Sequence, residues 1–136
     1  MKEKIDITLH TLHVGFKRRV VTVDINGKDY ARKFLEKLCK DDRRKWILLS
    51  NRIENVSNFT TYENNKIFNY LADGIFEFKR PNLRLYAFYD KLNEDDLLIL
   101  CTNGGTKNTK KAQRMDINRA KSIKANYFSA KKNPHS

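Results

Sequence analysis

Ile75-Phe76-Glu77-Phe78-Lys79-Arg80, Pro81-Asn82, then Leu83-Arg84-Leu85-Tyr86-Ala87-Phe88-Tyr89-Asp90 is the stretch that decides the fold. On either side of the proline the apolar residues recur with a period of two, which is strand periodicity. Pro81-Asn82 is turn chemistry. A polar segment at 91–96 follows, read as a second turn. Leu97-Leu98-Ile99-Leu100-Cys101 then has the length and continuous apolarity of one buried strand. Three antiparallel strands in a meander are expected.

Working toward the C-terminus, Asn103-Gly104-Gly105 is read as breaking the sheet. Thr109 can cap a last helix running to about Phe128, with Ile117, Ala120, Ile123 and Tyr127 on its buried side. Residues 130–136 read as a flexible tail. Working the other way, Ile67, Phe68 and Leu71 make a short apolar turn before Ala72-Asp73-Gly74, and residues 57–65 are polar and read as a loop. Trp46, Leu49, Ile53 and Val56 repeat at helical spacing after Asp41-Asp42, whose carboxylates suit a helix start. Trp46 is read as core. Tyr30, Ala31, Phe34, Leu35 and Leu38 mark a preceding helix, so the two form a pair. Val20-Val21-Thr22-Val23-Asp24-Ile25 is β-branched and stops at Asn26-Gly27, which predicts a strand and a tight turn. Residues 1–18 add a possible N-terminal extension strand, joined to it through Gly15. The expectation is one α+β domain over 1–136: a curved antiparallel sheet, a helix pair packed on one face, and a C-terminal helix.

Composition narrows the function classes. Of 136 residues, 40% are hydrophobic and 32% charged, which suits a globular chain rather than a disordered one. No apolar run approaches the ~20 residues of a membrane span. Met1-Lys2-Glu3-Lys4-Ile5-Asp6 offers no apolar signal core, so a secretory leader is not supported. Cys39 and Cys101 have no metal-type or redox-type partner nearby in sequence. Both read as small apolar residues in a reducing compartment, and the expected location is cytoplasmic. The formal charge is +12. From Asn103 to Ser136 there are nine Lys or Arg against one acid, a net +8. A field so concentrated favours a polyanionic partner, nucleic acid first.

The chain has no Gly-rich phosphate loop, no metal-ligand spacing and no nucleophile elbow. His10 and His13 would point to opposite faces of a strand, which makes a poor metal pair, and His135 sits in the tail. Neither a metal nor a small-molecule cofactor is expected. What remains is basic. Lys79 and Arg80 end one strand, and Arg84 opens the next. Lys107, Lys110 and Lys111 follow the third strand, and Arg114 lies early in the last helix. Cations converging on a twisted sheet could hold phosphates, and Tyr86 beside Arg84 offers a ring to an unpaired base. The plainer alternatives are solvated lysines and a core role for Tyr86 and Phe88. Arg84 is the least plain, since an arginine within a strand needs a partner or an open cleft.

Asp73-Gly74-Ile75-Phe76-Glu77-Phe78-Lys79 followed by Leu83-Arg84-Leu85-Tyr86-Ala87-Phe88-Tyr89 resembles the corresponding segment of RelE/HigB-like toxins of bacterial toxin–antitoxin pairs, especially their phage-derived branch. Leu97-Leu98-Ile99-Leu100, then Lys107-Asn108-Thr109-Lys110-Lys111, resembles that branch's apolar strand and basic helix start. The resemblance covers roughly the second half of the chain. Gly105, Asn108 and Gln113 depart from the pattern, standing where a phenylalanine, a second lysine and a proline are usual. The resemblance implies a metal-independent, ribosome-dependent mRNA endoribonuclease that inhibits translation, partnered by a cognate antitoxin. In such an enzyme a 2′-hydroxyl gives up its proton and attacks the adjacent phosphorus, the bond to the 5′-oxygen breaks and that oxygen takes a proton, and the added negative charge must be neutralised. By this resemblance Arg84 would clamp the scissile phosphate and stabilise its charge, Lys79 and Arg80 would position the backbone or lower a proton-transfer pKa, and Lys107 would face the leaving group or the phosphate from the opposite side. Tyr86 would act as base or stacking partner, while Lys110, Lys111 and Arg114 would bind the nucleic acid. Two other readings stay open: a ParE-like inhibitor of DNA gyrase, and a nucleic-acid-binding module without turnover.

Overall fold

In the strand after Pro81 the side chains of Leu83 and of Leu85 to Phe88, which point alternately to the two faces, are buried, so this strand needs cover on both faces. It runs Leu83–Lys91 and is here β5. The structure, a computed structural model, describes residues 5–58, 68–91, 97–106 and 109–132. In chain order the elements are β1 (Ile7–Val14), β2 (Arg18–Ile25), α1 (Tyr30–Asp41), α2 (Arg43–Asn58), β3 (Phe68–Ala72), β4 (Ile75–Arg80), β5, β6 (Leu97–Gly105) and α3 (Lys110–Lys132). Among the described residues, no helix is long and apolar enough to cross a membrane. The loop expected at 59–65, Ile67, the turn residues 92–96, Lys107 with Asn108, and residues 133–136 lie outside the described residues.

The six strands are ordered β1-β2-β6-β5-β4-β3. The sheet is mixed rather than antiparallel as expected, because β2 and β6 pair in parallel. Parallel neighbours need a crossover connection, and here the helix pair and the β3–β5 meander supply it. The looser alternation before Gly15 does form a strand, β1, antiparallel to β2. The short apolar turn expected around Phe68 and Leu71 is instead a strand, β3, paired with β4. Its hairpin turn is Asp73-Gly74, both at positive φ (52° and 77°), a conformation that matches the twist of the flanking strands. Asn103-Gly104-Gly105 does not break the sheet. β6 continues to Gly105 opposite Arg84, with an irregularity beside Tyr86 and Ala87. α3 likewise takes in residues 130–132 of the expected tail.

The helices do not share one face. Leu83, Leu85 and Ala87 of β5, with Phe78, Ile99 and Cys101, pack against Leu35 and Leu38 of α1 and Leu49, Ile53 and Val56 of α2, with Trp46 partly buried at the margin. Tyr86 and Phe88, with Val21, Ile75, Leu98 and Leu100, pack against Ala120, Ile123 and Tyr127 of α3. Alternation along β5 and β6 is apolar on both sides, so burial on one side alone would leave a hydrophobic face in water.

Capping follows the side chains available. Asp29 accepts from the Arg32 amide at the start of α1 (2.9 Å), and Asp42 accepts from the Lys45 amide at the start of α2 (3.2 Å). Thr109 accepts from the Ala112 amide at the start of α3 (3.1 Å), as its position suggests.

The two glycines late in β6 serve packing. A β-carbon on Gly104 would stand 2.3 Å from the Phe34 ring of α1. Gly104→Ala is therefore expected to lower stability by about 1–3 kcal/mol through overpacking. Urea unfolding should show an earlier midpoint with an unchanged slope, and an unaltered midpoint would contradict the packing described.

Candidate nucleic-acid interface

Strand register sets the first part of the site. Lys79 of β4 pairs with Arg84 of β5, and Arg84 pairs with Gly105 of β6. Lys79 and Arg84 lie on the α3 side, in step with Ile75, Tyr86 and Phe88. Arg80 follows Lys79 directly and so projects to the opposite face, in step with Phe76 and Phe78. Lys79 and Arg80 are therefore not brought together on one surface.

Arg84 has the partner its place in a strand demands. Its Nε lies 3.6 Å from Glu77 Oε2, and both side chains are largely buried. One terminal nitrogen donates to the Arg80 carbonyl (2.6 Å) and to the Leu83 carbonyl (2.9 Å). Glu77 is the residue that sequence reasoning missed, although the signal was present. It pairs with Tyr86 in register, so Arg84 is its diagonal neighbour on the same face.

Tyr86 is buried beneath α3, with 1% of its surface exposed. No ring face is open to a stacking base, contrary to the stacking role the resemblance allowed. Burial pushes its phenol up to about 12, with Asp116 and Glu77 adding to the rise and Arg84 opposing it. At neutral pH it is a protonated phenol, unsuited to act as a general base.

Asp116 of α3 is the second residue that sequence reading passed over. Its Oδ2 stands 2.3 Å from where a Gly105 β-carbon would lie, and its carbonyl accepts from Asn103 Nδ2 (2.9 Å). Only a glycine at 105 lets that carboxylate lie against the strand.

The C-terminal charge divides into two groups. Lys121 meets the Asp73 carboxylate (2.9 Å), and Lys124 donates to the Asp73 carbonyl (2.6 Å). The Lys121 hydrogen bond and charge hold the Asp73 carboxyl below its ordinary value. Lys131 meets Asp90 (2.7 Å), which also accepts from the Tyr127 hydroxyl (2.6 Å). Burial pushes the Asp90 carboxyl up, but those hydrogen bonds and the Lys131 charge outweigh it and leave it lowered. Arg119 lies over the Tyr30 ring, 4.5 Å from its centre. These four cations tie α3 to the rest of the fold, which a count of charge along the chain does not reveal.

Lys110, Lys111 and Arg114 form the other group. All three are exposed, and none makes an ion pair among the described residues. They occupy the first turns of α3, which hold no acid in the first turn. The helix dipole already makes that end positive, so Lys110 and Lys111 in the first turn oppose the fold by about 0.3–1 kcal/mol each, while Arg114, in the second turn, feels it less. Beside this helix start opens a cleft of about 610 Å³, lined by the apolar Phe34, Leu38 and Met115, by Lys37 and Lys45, and by the acids Asp41, Asp42 and Asp116.

The raised phenol has a measurable consequence. The Tyr86 pKa is higher folded than the ordinary value of 10.0, so the native state holds a proton that the unfolded chain releases. That contribution is fully present below pH ~10 and is lost as pH rises toward ~12. Tyr86→Phe should make the alkaline decline in unfolding free energy shallower by about one proton, and an identical slope would mean that the phenol is not so held.

Compared with family models, curated proteins and solved structures, the chain shows no match to any of them, so the assignment of its function rests on the residues themselves.

Proposed function

We propose that the protein binds RNA through the start of α3 and acts as a RelE/HigB-like, ribosome-dependent mRNA endoribonuclease. The observation that carries the binding half is the set of exposed cations Lys110, Lys111 and Arg114, without an ion-pair partner among the described residues, in the first turns of α3. They are unfavourable for the isolated fold, and a phosphate there would relieve their repulsion. Lys79, exposed on the α3 side of β4, extends the same basic face. The cleft beside α3 has the size and partly apolar wall of a ligand pocket. It could take an unstacked base while the helix start holds the backbone.

The cleavage half rests on the resemblance of the β4–β5 and β6–α3 segments, and the element order agrees with it: helix pair, meander, basic helix. In this reading the ribosome orients the RNA. Arg84, held by Glu77, presents its remaining donors to the phosphate, and Lys107, outside the described residues, has its leaving-group role from the resemblance alone. Tyr86 positions the floor of the site and takes no proton. A cognate antitoxin would cover the same basic face with acidic residues. A non-catalytic binding module is the second reading, favoured by one observation: Tyr86 is buried and Arg84 is already engaged by Glu77 and two carbonyls.

Arg84→Ala alone is a poor test, because it would strand a largely buried Glu77 and destabilise the fold by about 3–5 kcal/mol. Charge reversal of Lys110, Lys111 and Arg114 to glutamate avoids this, since acids suit a helix start and should keep or raise the melting temperature. With 5′-labelled mRNA and programmed ribosomes, the wild type should cut and the folded triple variant should not. The absence of cuts by folded wild-type protein, with or without ribosomes, would overturn the nuclease reading. Binding to free single-stranded RNA should lose about 2 in the slope of log K against log salt in the variant, from ~0.7 per phosphate contact. An unchanged slope would remove α3 from the interface.

A further inference from the structure

His10, read from sequence as half of a poor histidine pair, finds different neighbours in the fold. In β1 it pairs with Thr22 of β2, one step along the same face from Asp24. Its Nε2 lies 3.3 Å from Asp24 Oδ2. Asp29, which caps α1, reaches the same spot, so that ligand atoms of His10, Asp24 and Asp29 all lie within 4.8 Å of one another. An imidazole and two carboxylates drawn from three separate elements converge there.

Both carboxylates are held in place from behind. The Thr22 hydroxyl donates to Asp29 Oδ2 and the Arg32 amide to its Oδ1. The Gly27 amide donates to Asp24 Oδ1 (2.8 Å), leaving Oδ2 toward the histidine. A carboxylate has about four lone-pair sites, so each retains capacity after these bonds. Fixing of this kind is what orients metal ligands in built sites.

Charge is the independent observation. In a chain of net +12 with 28 Lys and Arg, neither Asp24 nor Asp29 has a lysine or arginine partner among the described residues. Asp29 is 5% exposed. Two facing carboxylates, one of them buried, repel one another unless a cation lies between them. The partial positive charge at the start of α1 offsets only about half of one of them.

We propose that His10, Asp24 and Asp29 bind one divalent transition-metal ion of the zinc, cobalt or nickel class. An imidazole nitrogen favours these ions over magnesium and calcium, which take oxygen ligands. Three protein donors leave a position for water on the outer side, where His10 and Asp24 are partly exposed. The ion ties the edge strand β1 to β2 and to the first turn of α1, far in sequence from the α3 surface.

The test uses the full chain without a histidine tag, titrated with Co²⁺ and with Zn²⁺ by calorimetry. Visible absorption of the cobalt form and the thermal midpoint are read alongside. Expected are one equivalent bound, cobalt d–d bands, and a raised midpoint. His10→Gln and Asp24→Asn should each weaken binding at least tenfold, while His13→Gln retains it. Circular dichroism on each variant establishes that the fold is intact, and His10→Gln carries the test because His10 is partly exposed. No binding of either ion at millimolar concentration, or binding undiminished in folded His10→Gln, overturns the proposal.

Discussion

The pairing of β5 with β6 at the middle of the sheet is the constraint from which the rest follows. Leu83, Leu85 and Ala87 project to one side and Tyr86 and Phe88 to the other, all of them buried. Neither side can be left to water. The helix pair covers the first and α3 the second, and the chain must cross the sheet to achieve this. The parallel pairing of β2 with β6 follows from the crossover made between them by the helix pair and the β3–β5 meander. Arg84 is tolerated in this strand because Glu77 and two carbonyls satisfy it at the end of the covered region.

The architecture was legible where periodicity and turn chemistry agreed. Both hold for β4, β5 and the two N-terminal helices, whose buried apolar residues are among those their spacing singles out, although Tyr30 is exposed and Ser57, read as loop, is buried in α2. β3 was missed because its few apolar residues lack clear alternation, although Asp73-Gly74 between apolar runs is a strong hairpin signal. The extension of β6 was missed for a different reason. Glycine is ordinarily punctuation in a strand, and here it makes room for groups that only the tertiary fold brings near. Placing α3 on the second face required recognising that a strand buried on both sides needs two covers.

The candidate interface was legible in part. Lys110, Lys111 and Arg114 stand exposed at the start of α3. Their neighbours along the chain, Lys121, Lys124 and Lys131, are spent on Asp73 and Asp90. Linear charge density cannot separate these two groups, since the acids that claim the lysines come from β-turns and strand ends remote in sequence. Tyr86 shows the converse limit. Its place between Arg84 and Phe88 fits a binding face and a core equally well, and the packing of α3 decides for the core.

At Gly104 and Gly105, α1 and α3 come against the same short stretch of bare backbone. Phe34 rests against one side of this short backbone segment and the Asp116 carboxylate against the other, each at a position where even a methyl group would not fit. With no side chain to act as a cushion, the two layers touch through a single thickness of peptide. An occupant of the cleft beside α3, which both glycines line, would therefore meet bare backbone rather than side chains at this point of its wall.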